Sequence, residues 1–368
     1  MRFTVSKSAL QKALAVVVKG ASSNTTMPII AGVLFRASEG TLELQTTDLA
    51  ISIRHSVAAN VEESGETVVS AKMISSIVKN LPDAPVTFDG AGSVLEMSCD
   101  RSIRYTLNTL PAQDFPSFPE VAPESSVELP LGILTDMVDS VFRVTSKDTS
   151  RAALCGILLT VEENLVRLVA CDSYRLAVVD AHVETSSLSG SFDAIVPGQA
   201  FRDAVSAMAG EEAVLVGVTG TQVLFSAGTT TFVSRRIEGN YPDYNRLIPA
   251  SCSTSVKLPV EAFSEALKRV APMATTNPSV RLDVDVDGGL ITMSSGAVDA
   301  GEARVEVDAP GTGENVRIAL NDRYLQECLT AAPDDESLDL ELQGSMKPAV
   351  FKSYGAVNYL YLVMPVHL

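Results

Sequence analysis

The sequence predicts an α+β fold of three repeated domains, each with two helices and antiparallel sheets. Three observations predict it: a pattern that returns every third of the chain, apolar and polar residues alternating between helices, and six amphipathic helical stretches of one design. The stretch CDSYRLAVV from Cys171 has a counterpart in TDLAISIR from Thr47, and the shared Asp48 and Asp172 stand 124 residues apart. Another 124 residues reaches Gly296, inside the alternating run LITMSSGAVDAGEARVEV. In a chain of 368 residues this period is about a third of the length, too long for a solenoid repeat and the size of a whole domain.

Each third opens on a strand-like end and a first helix: TVSKSALQKALAVVVKG from Thr4, LPLGILTDMVDSVFRVTSK from Leu129, and LPVEAFSEALKRV from Leu258. A second helix begins about 65 residues later, in SAKMISSIVKNLP from Ser70, PGQAFRDAVSAMAG from Pro197 and NDRYLQECLTAAP from Asn321. The spacing predicts helices over 7–19, 70–81, 131–147, 198–208, 260–270 and 321–331. Each has one apolar stripe; in the second it is Met73, Ile74, Ile77, Val78 and Leu81, with Lys72, Ser75, Ser76 and Lys79 opposite. Between helices, runs such as TLELQTTDLAISIRHSV and SVLEMSCDRSIRYTLNTL alternate with period two and break at turn residues, as strands do. The Pro- and Ser-rich stretches 116–126 and 245–255 read as linkers, giving domains at 1–120, 127–249 and 254–368.

Net charge is −17, which taken alone argues against a nucleic-acid ligand. The six predicted helix spans hold eleven basic residues against seven acidic ones, whereas the rest of the chain holds 17 against 38. Lys and Arg are good helix formers, but Glu is equally good, so propensity explains the amount of charge better than its sign.

Signals of chemistry are missing. Three histidines, His55, His182 and His367, lie far apart, and no HExxH, P-loop, GxGxxG after a strand or GxSxG occurs. The run DVDVDGG from Asp283 matches the start of a calcium loop, but the twelfth position is Ser294 where a bidentate Glu is needed. Its Asp residues alternate with Val284 and Val286, as in a strand leading into a turn. Five scattered cysteines without a CxxC read as reduced core residues, and no metal or cofactor is expected. No apolar run approaches a membrane span, and the N-terminal apolar stretch is broken by Gln11 and Lys12 as an amphipathic helix would be. A cytoplasmic protein is therefore expected, with the sequon at Asn24 inert.

Three α+β repeats, basic helices on an acidic chain and no catalytic constellation resemble the bacterial sliding clamps, the β subunits of replicative DNA polymerase. The resemblance runs the full length. It is carried by MRFTVSKSAL at the start, TMPIIAGVLF (26–35), TTDLAISI (46–53), LPAQDFP (110–116), ACDSYRLAVV (170–179), NYPDYNRLIP (240–249) and the terminal YLVMPVHL. It implies the clamp fold: a ring formed by a head-to-tail homodimer, twelve helices lining a hole and strands outside. Such a ring slides on double-stranded DNA without reading sequence and tethers the polymerase III catalytic subunit, the clamp loader and other proteins carrying a clamp-binding peptide.

Residue by residue, the resemblance assigns the peptide pocket to Leu154, Cys171, Ser173, Tyr174, Arg175, Leu176, Pro242, Arg246, Leu247, Leu362, Val363, Met364, Pro365 and Val366, with Arg175 and Arg246 at the rim. It departs from the family at Cys171-Asp172-Ser173-Tyr174, where Thr-Asp-Gly-His is common, and at His367, where Arg is commoner. On the DNA side Asn24 and Gly198-Gln199 replace basic residues, leaving Lys12, Lys72, Lys79, Arg143, Lys147, Arg151, Arg202, Lys268 and Arg269 as channel candidates. The dimer is expected to form by edge-strand pairing between Tyr105 and Leu107 in the first domain and the region of Pro272 and Met273 in the third. Two other readings stand beside this one: a repeat-built protein-docking scaffold that does not encircle DNA, and a hydrolase, for which the sequence offers no candidate cluster.

Overall fold

The computed structural model describes every residue except 23–24, 184–190, 275–277, 298–300, 334–335 and 367–368. The family departures at Asn24 and His367 therefore lie outside the described residues.

The first third of the chain holds β1 (Arg2–Ser6), β2 (Gly32–Ser38), β3 (Thr41–Thr47), β4 (Ile51–Ala58) and β5 (Asn60–Glu63). It continues with β6 (Gly65–Ser70), β7 (Pro85–Ala91), β8 (Val94–Cys99) and β9 (Ile103–Asn108). The second holds β10 (Ser125–Pro130), β11 (Gly156–Glu162), β12 (Leu165–Cys171) and β13 (Arg175–His182). After these come β14 (Phe192–Pro197), β15 (Ala213–Val218), β16 (Gln222–Ala227) and β17 (Thr230–Arg235). The last third holds β18 (Thr254–Pro259), β19 (Ser279–Asp285), β20 (Leu290–Ala297), β21 (Gly301–Asp308) and β22 (Gly311–Gly313). It ends with β23 (Val316–Asn321), β24 (Ser337–Leu342), β25 (Ala349–Ser353) and β26 (Asn358–Val363).

Six helices follow the predicted order: α1 (Lys7–Val17), α2 (Ala71–Lys79), α3 (Leu131–Phe142), α4 (Gly198–Ala207), α5 (Val260–Val270) and α6 (Asp322–Ala331). Ser6, Ser70 and Asn321 cap α1, α2 and α6, each accepting a backbone N–H of the first turn.

The chain forms two compact units. One comprises Met1–Gly132 and Gln199–Arg236, the other Ile133–Glu184, Ser191–Gly198 and Ile237–Leu368. The first unit carries a sheet ordered β5-β1-β7-β8-β9 and another ordered β10-β15-β16-β17-β4-β3-β2-β6. The second carries β14-β11-β12-β13-β26-β25-β24-β18-β22 and β21-β20-β19-β23. All pairings are antiparallel, and apolar residues alternate inward, as in β24, where Leu338, Leu340 and Leu342 are buried. Asp285 pairs with Leu290 across the turn from β19 to β20, so DVDVDGG is the predicted strand and turn.

Registers make the repeat exact enough to align by position. Phe3, Val127 and Val256 each lie three residues before a first-helix cap or its equivalent, and they pair with Phe88, Val216 and Leu340. Those pair with Met97, Phe225 and Phe351, which in turn pair with Tyr105, Phe232 and Tyr361. Eleven of these twelve side chains are buried. Phe232 and Tyr361 are 0% exposed, whereas Tyr105 is 38% exposed. Phe232 and Tyr361 are covered because β17 pairs with β4 and β26 with β13; β9 ends its sheet.

The recurring Asp that revealed the repeat is a turn residue. Asp48 Oδ1 accepts Ala50 N at 2.9 Å and Ile51 N at 2.6 Å, and Asp48 N donates to Ile51 O at 3.1 Å. Asp172 Oδ1 accepts Tyr174 N at 2.7 Å and Arg175 N at 3.0 Å, and Asp172 N donates to Arg175 O at 3.0 Å. Both are Asx turns that start β4 and β13 at the same phase.

Three expectations are corrected. Helix α3 ends at Phe142, five residues early, because Val144 and Thr145 turn back onto Val141 and Phe142 and Ser146 N donates to Leu154 O. Met73 is exposed: Ile74 and Val78 hold the buried side of α2, and Met73 precedes that stripe by about 100° of turn. The basic excess also shrinks, since Lys19, Arg143 and Lys147 fall outside the helices and leave eight basic residues against seven acidic. The positive charge is concentrated in α1 and α2, which hold four lysines and no acid and pack on each other.

Replacing Asp48 by Ala is expected to lower stability by about 1–2 kcal/mol, the loss of two charge-assisted hydrogen bonds at a half-exposed turn. Asp48→Asn, which keeps the acceptor, should cost less than half of that. Urea unfolding monitored by circular dichroism compares the two, and equal losses would contradict the Asx role.

Candidate functional site

The turn at 171–176, the strand β26 and the segment 237–248 meet in one apolar cluster. Leu154, Leu158, Val169, Cys171, Leu176, Val178, Ile195, Val350 and Leu362 form it, and Ile237, Tyr241, Tyr244, Ile248 and Leu360 pack on it. Leu176 and Leu362 are a cross-strand pair between β13 and β26. Gly156 opens β11 beside them because a Cβ there would come within 2.5 Å of Ile195. Met364 extends from β26 and donates its N–H to Tyr174 O at 2.8 Å, so the C-terminal strand and the turn are locked together. Met364, Tyr174 and Leu247 stand exposed at this edge, an unusual group of large apolar side chains.

Tyr241 closes the cluster from the segment side, its phenol oxygen accepting Cys171 N at 3.0 Å. Burial pushes both the Tyr241 phenol and the Cys171 thiol up, so neither ionises near neutral pH.

Arg175 lies elsewhere than expected. It is 7% exposed, and its guanidinium is shared between Asp172 Oδ2 at 3.2 Å, Tyr361 Oη at 3.0 Å, the Arg143 carbonyl at 2.6 Å and Glu327. Tyr324 lies under it, 4.4 Å from ring centroid to guanidinium carbon, and also stacks on Tyr174 at 6.4 Å. Its donors are committed, so it positions the turn and does not face a ligand at the rim. Burial alone would lower its pKa, but Tyr361 and Glu327 more than reverse that. Burial would raise Glu327, yet hydrogen bonds from Arg175 and Arg323 hold it below the usual carboxylate range.

The other assigned residues divide. Arg246 is a rim residue, its side chain 85% exposed and paired with Asp243 at 2.8 Å. Ser173 and Pro242 are exposed, and Pro365 and Val366 half-buried. Val363 is buried on the opposite face of β26 from Leu362, as the two-residue period requires, and is not part of the cluster. Sequence reasoning missed Leu158, Val169, Val178, Tyr244 and Leu360, although the alternation of Val178 with Leu176 and of Leu360 with Leu362 was visible.

The equivalent surface in the first unit is not a copy. Register places Gln45, Ser52 and Arg54 where the cluster has Val169, Leu176 and Val178. Gln45 is spent on the Pro116 carbonyl, and Arg54 lies 4.4 Å over Phe118. A cavity of about 790 Å³ there is lined by Arg36, Gln45, Arg54, Glu66 and the 112–122 segment.

The predicted channel residues Lys12, Lys72, Lys79, Arg143, Lys147, Arg151, Arg202, Lys268 and Arg269 are all exposed. Arg151 pairs with Asp148 and Arg269 with Glu265. Lys19 is tied to Ser206 at 2.6 Å and Asp203 at 3.8 Å. Among the described residues no cluster suited to a metal ion occurs, and no helix is long and apolar enough to cross a membrane.

Comparison with known proteins covers the whole chain. Models of the N-terminal, central and C-terminal domains of the DNA polymerase III beta subunit match residues 1–119, 128–243 and 245–367. The chain belongs to the DNA polymerase III beta subunit family. The beta sliding clamps of Streptomyces coelicolor and Synechococcus elongatus are each 30% identical, with all of both chains covered. The solved sliding clamp of Bacillus subtilis is 26% identical with a TM-score of 0.93, covering 100% of this chain and 99% of that one. The Pseudomonas aeruginosa clamp bound to griselimycin is 27% identical with a TM-score of 0.93 over all of both chains. The family resemblance and the three-domain clamp fold read from the sequence are borne out.

Arg175→Met is expected to cost about 3 kcal/mol in urea unfolding, because it leaves Glu327 buried against Arg323 alone. Glu327 is held below its unfolded value, so its contribution is complete above about pH 4.3 and is lost as pH falls through the lowered folded value. Glu327→Gln should flatten stability against pH in that acidic window. An unchanged acid slope would show that the pair is not coupled to folding.

Proposed function

We propose that this chain is a non-catalytic cytoplasmic processivity clamp: two copies close head to tail around duplex DNA and tether replication and repair proteins by a short peptide. Its clamp domains are 1–120, 127–249 and 254–368. The peptide seats on Leu176, Leu362 and Met364, and its partners are the polymerase III catalytic subunit, the clamp loader and other carriers of a Gln-plus-Leu/Phe motif.

The observation that carries the ring is the pair of strand edges left open. β17 lies on β4 with Phe232 opposite Ile53, and β26 lies on β13 with Tyr361 opposite Ala177. The third members of these sets are β9 and β21, both terminal in their sheets. Counting along β2, β11 and β19 from Gly32, Gly156 and Ser279 makes Ala303 the equivalent of Ile53 and Ala177. The same register laid between two copies sets Tyr105 opposite Ala303 and Leu107 opposite Gly301. Tyr105 would then gain the cover that Phe232 and Tyr361 already have. Leu107 is buried in its own domain, and Pro272 and Met273 lie on a 3-10 turn beside Gly301, so the edge itself is β21.

The lysines of α1 and α2, Lys12, Lys72 and Lys79, supply a weak sequence-independent attraction for phosphates. Arg143, Lys147, Arg151, Arg202, Lys268 and Arg269 add smaller increments. Contacts this few leave sliding unhindered.

A chain carrying Tyr105→Cys and Ala303→Cys should form a disulfide-linked dimer on oxidation, since facing Cβ atoms lie about 4.5–5.5 Å apart. Either single variant should not, which controls for exposed Cys252. Once loaded on circular DNA, the linked ring should survive high salt and fall off only after the DNA is cut. Absence of cross-linking, or release from uncut circles, would overturn the ring.

Deleting Met364–Leu368 should abolish binding of a fluorescent Gln-plus-Leu/Phe peptide while sedimentation still shows a dimer. Unchanged affinity would remove the cleft assignment.

A further inference from the structure

One partner of the Arg175 guanidinium belongs to a different surface. Its Nη2 donates to the Arg143 carbonyl at 2.6 Å, just past the end of α3 at Phe142, where a helix cannot satisfy its own carbonyls. A cation at that end is also favoured by the helix dipole. The remaining donors of the same group hold Asp172 Oδ2 at 3.2 Å, Tyr361 Oη at 3.0 Å and Glu327. Asp172 in turn accepts the Tyr174 and Arg175 amides, and Met364 N donates to Tyr174 O. One buried side chain therefore bonds the end of α3 to the turn at 171–176.

The chain that leaves α3 is a basic loop, 143–151. It carries Arg143, Lys147 and Arg151 against one acid, Asp148, in a chain of net charge −17, and all three cations are exposed. Arg151 stands 4.0 Å from Asp148, while Lys147 has no ion pair among the described residues. The loop is tied down twice more. Val144 is buried, and Ser146 N donates at 2.8 Å to the carbonyl of Leu154, a member of the apolar cluster. The loop is thus fixed through Arg175 at one end and through Leu154 at the other.

We propose that Arg175 couples these two surfaces: phosphate held at Lys147 and Arg151 strengthens peptide docking on the cluster, and a docked peptide strengthens the hold on DNA. The inference rests on the clamp reading above and adds regulation to it. Ordering is the shared quantity. A phosphate that immobilises the loop fixes the Arg143 carbonyl, and with it the guanidinium that holds Asp172. The turn then has less freedom left to lose when the peptide arrives. Linkage makes the effect equal in both directions. Arg175 is a positioning residue in this scheme, since its donors are committed to the protein and touch neither ligand.

The test uses the full chain, a duplex oligonucleotide and a fluorescent, uncharged Gln-plus-Leu/Phe peptide that has no attraction of its own for DNA. In low salt, saturating duplex should tighten peptide binding about fivefold, the lower end of ordinary coupling between sites. The gain should disappear in high salt, where the duplex leaves. It should also be lost in Lys147→Gln combined with Arg151→Gln, which weakens the phosphate contact. Arg175→Lys should lose it too, because lysine keeps a cation beside Glu327 but cannot span Asp172 and the Arg143 carbonyl. If Arg175→Lys misfolds, hydrogen exchange of the unaltered chain decides: duplex should slow the amides of 170–176, and peptide those of 143–151. Ligands that leave each other's affinity unchanged, protection confined to each ligand's own surface, or a gain that survives in folded Arg175→Lys would overturn the coupling and leave the clamp reading standing. Failure of the peptide to bind would remove the cleft, failure of the duplex to bind in low salt would remove the basic loop, and either would remove the coupling.

Discussion

An open strand edge carries a row of backbone N–H and C=O groups that must be paired, covered or left to water. Twice within this chain the last strand of one repeat meets that requirement by lying on the β4-type strand of a neighbouring one. The β17–β4 and β26–β13 pairs share a register, set in both cases by an Asx turn whose Asp lies three residues before the pairing begins. In the proposed pairing between copies such a register leaves little freedom, because a slip of one residue would set Tyr105 and Leu107 against the opposite face of β21. Tyr105 is exposed because β9 ends its sheet and no strand among the described residues pairs beyond it.

Equal backbone geometry at two junctions means that any difference in function must come from side chains. The surface with Leu176, Val178 and Leu362 stays apolar, while its counterpart carries Ser52, Arg54 and Gln45, with Gln45 consumed by a backbone carbonyl. Arg175 explains why the apolar version holds its shape. Its guanidinium joins the turn at Asp172, the helix α6 through Glu327 and the strand β26 through Tyr361. A buried ionic node of this kind adds little net stability over apolar packing, but it tolerates few alternative arrangements. Tyr174, stacked on Tyr324, and Met364, bonded to the Tyr174 carbonyl, are held by it indirectly.

Much of this was legible in the sequence, for reasons that differ by feature. Asx turns and helix stripes depend on residues within a few positions of one another, so Asp48, Asp172 and the six helices could be read directly. Leu176 and Leu362, which the family resemblance assigned to the pocket, lie together as a cross-strand pair in the apolar cluster. The role of Arg175 was not legible, because a single arginine codon looks the same at a wet rim and in a buried cage of Asp172, Glu327 and Tyr361. Nor was β21 readable as the terminal strand: by register Val298 stands where the other repeats have Asp48 and Asp172, and its pairing phase follows only from contacts distant in sequence. The length of α3 failed similarly, since Ser146 is drawn off the helix by Leu154, eight residues further on.

The charge distribution fits the proposed closure. Observed helix boundaries leave only α1 and α2 clearly basic, with four lysines and no acid, while α3 to α6 hold four basic residues against seven acidic. That is a poor surface for gripping DNA by counterion release, where each neutralised phosphate adds to affinity and to its loss in salt. A protein that retains DNA by a closed backbone circuit needs no such grip. In the proposed ring the helix charges have only to offset the repulsion of DNA by an acidic chain, and strong phosphate contacts would slow sliding. The weak basic excess that remains within the observed helices is sufficient in the proposed ring, where pairing between copies does the holding.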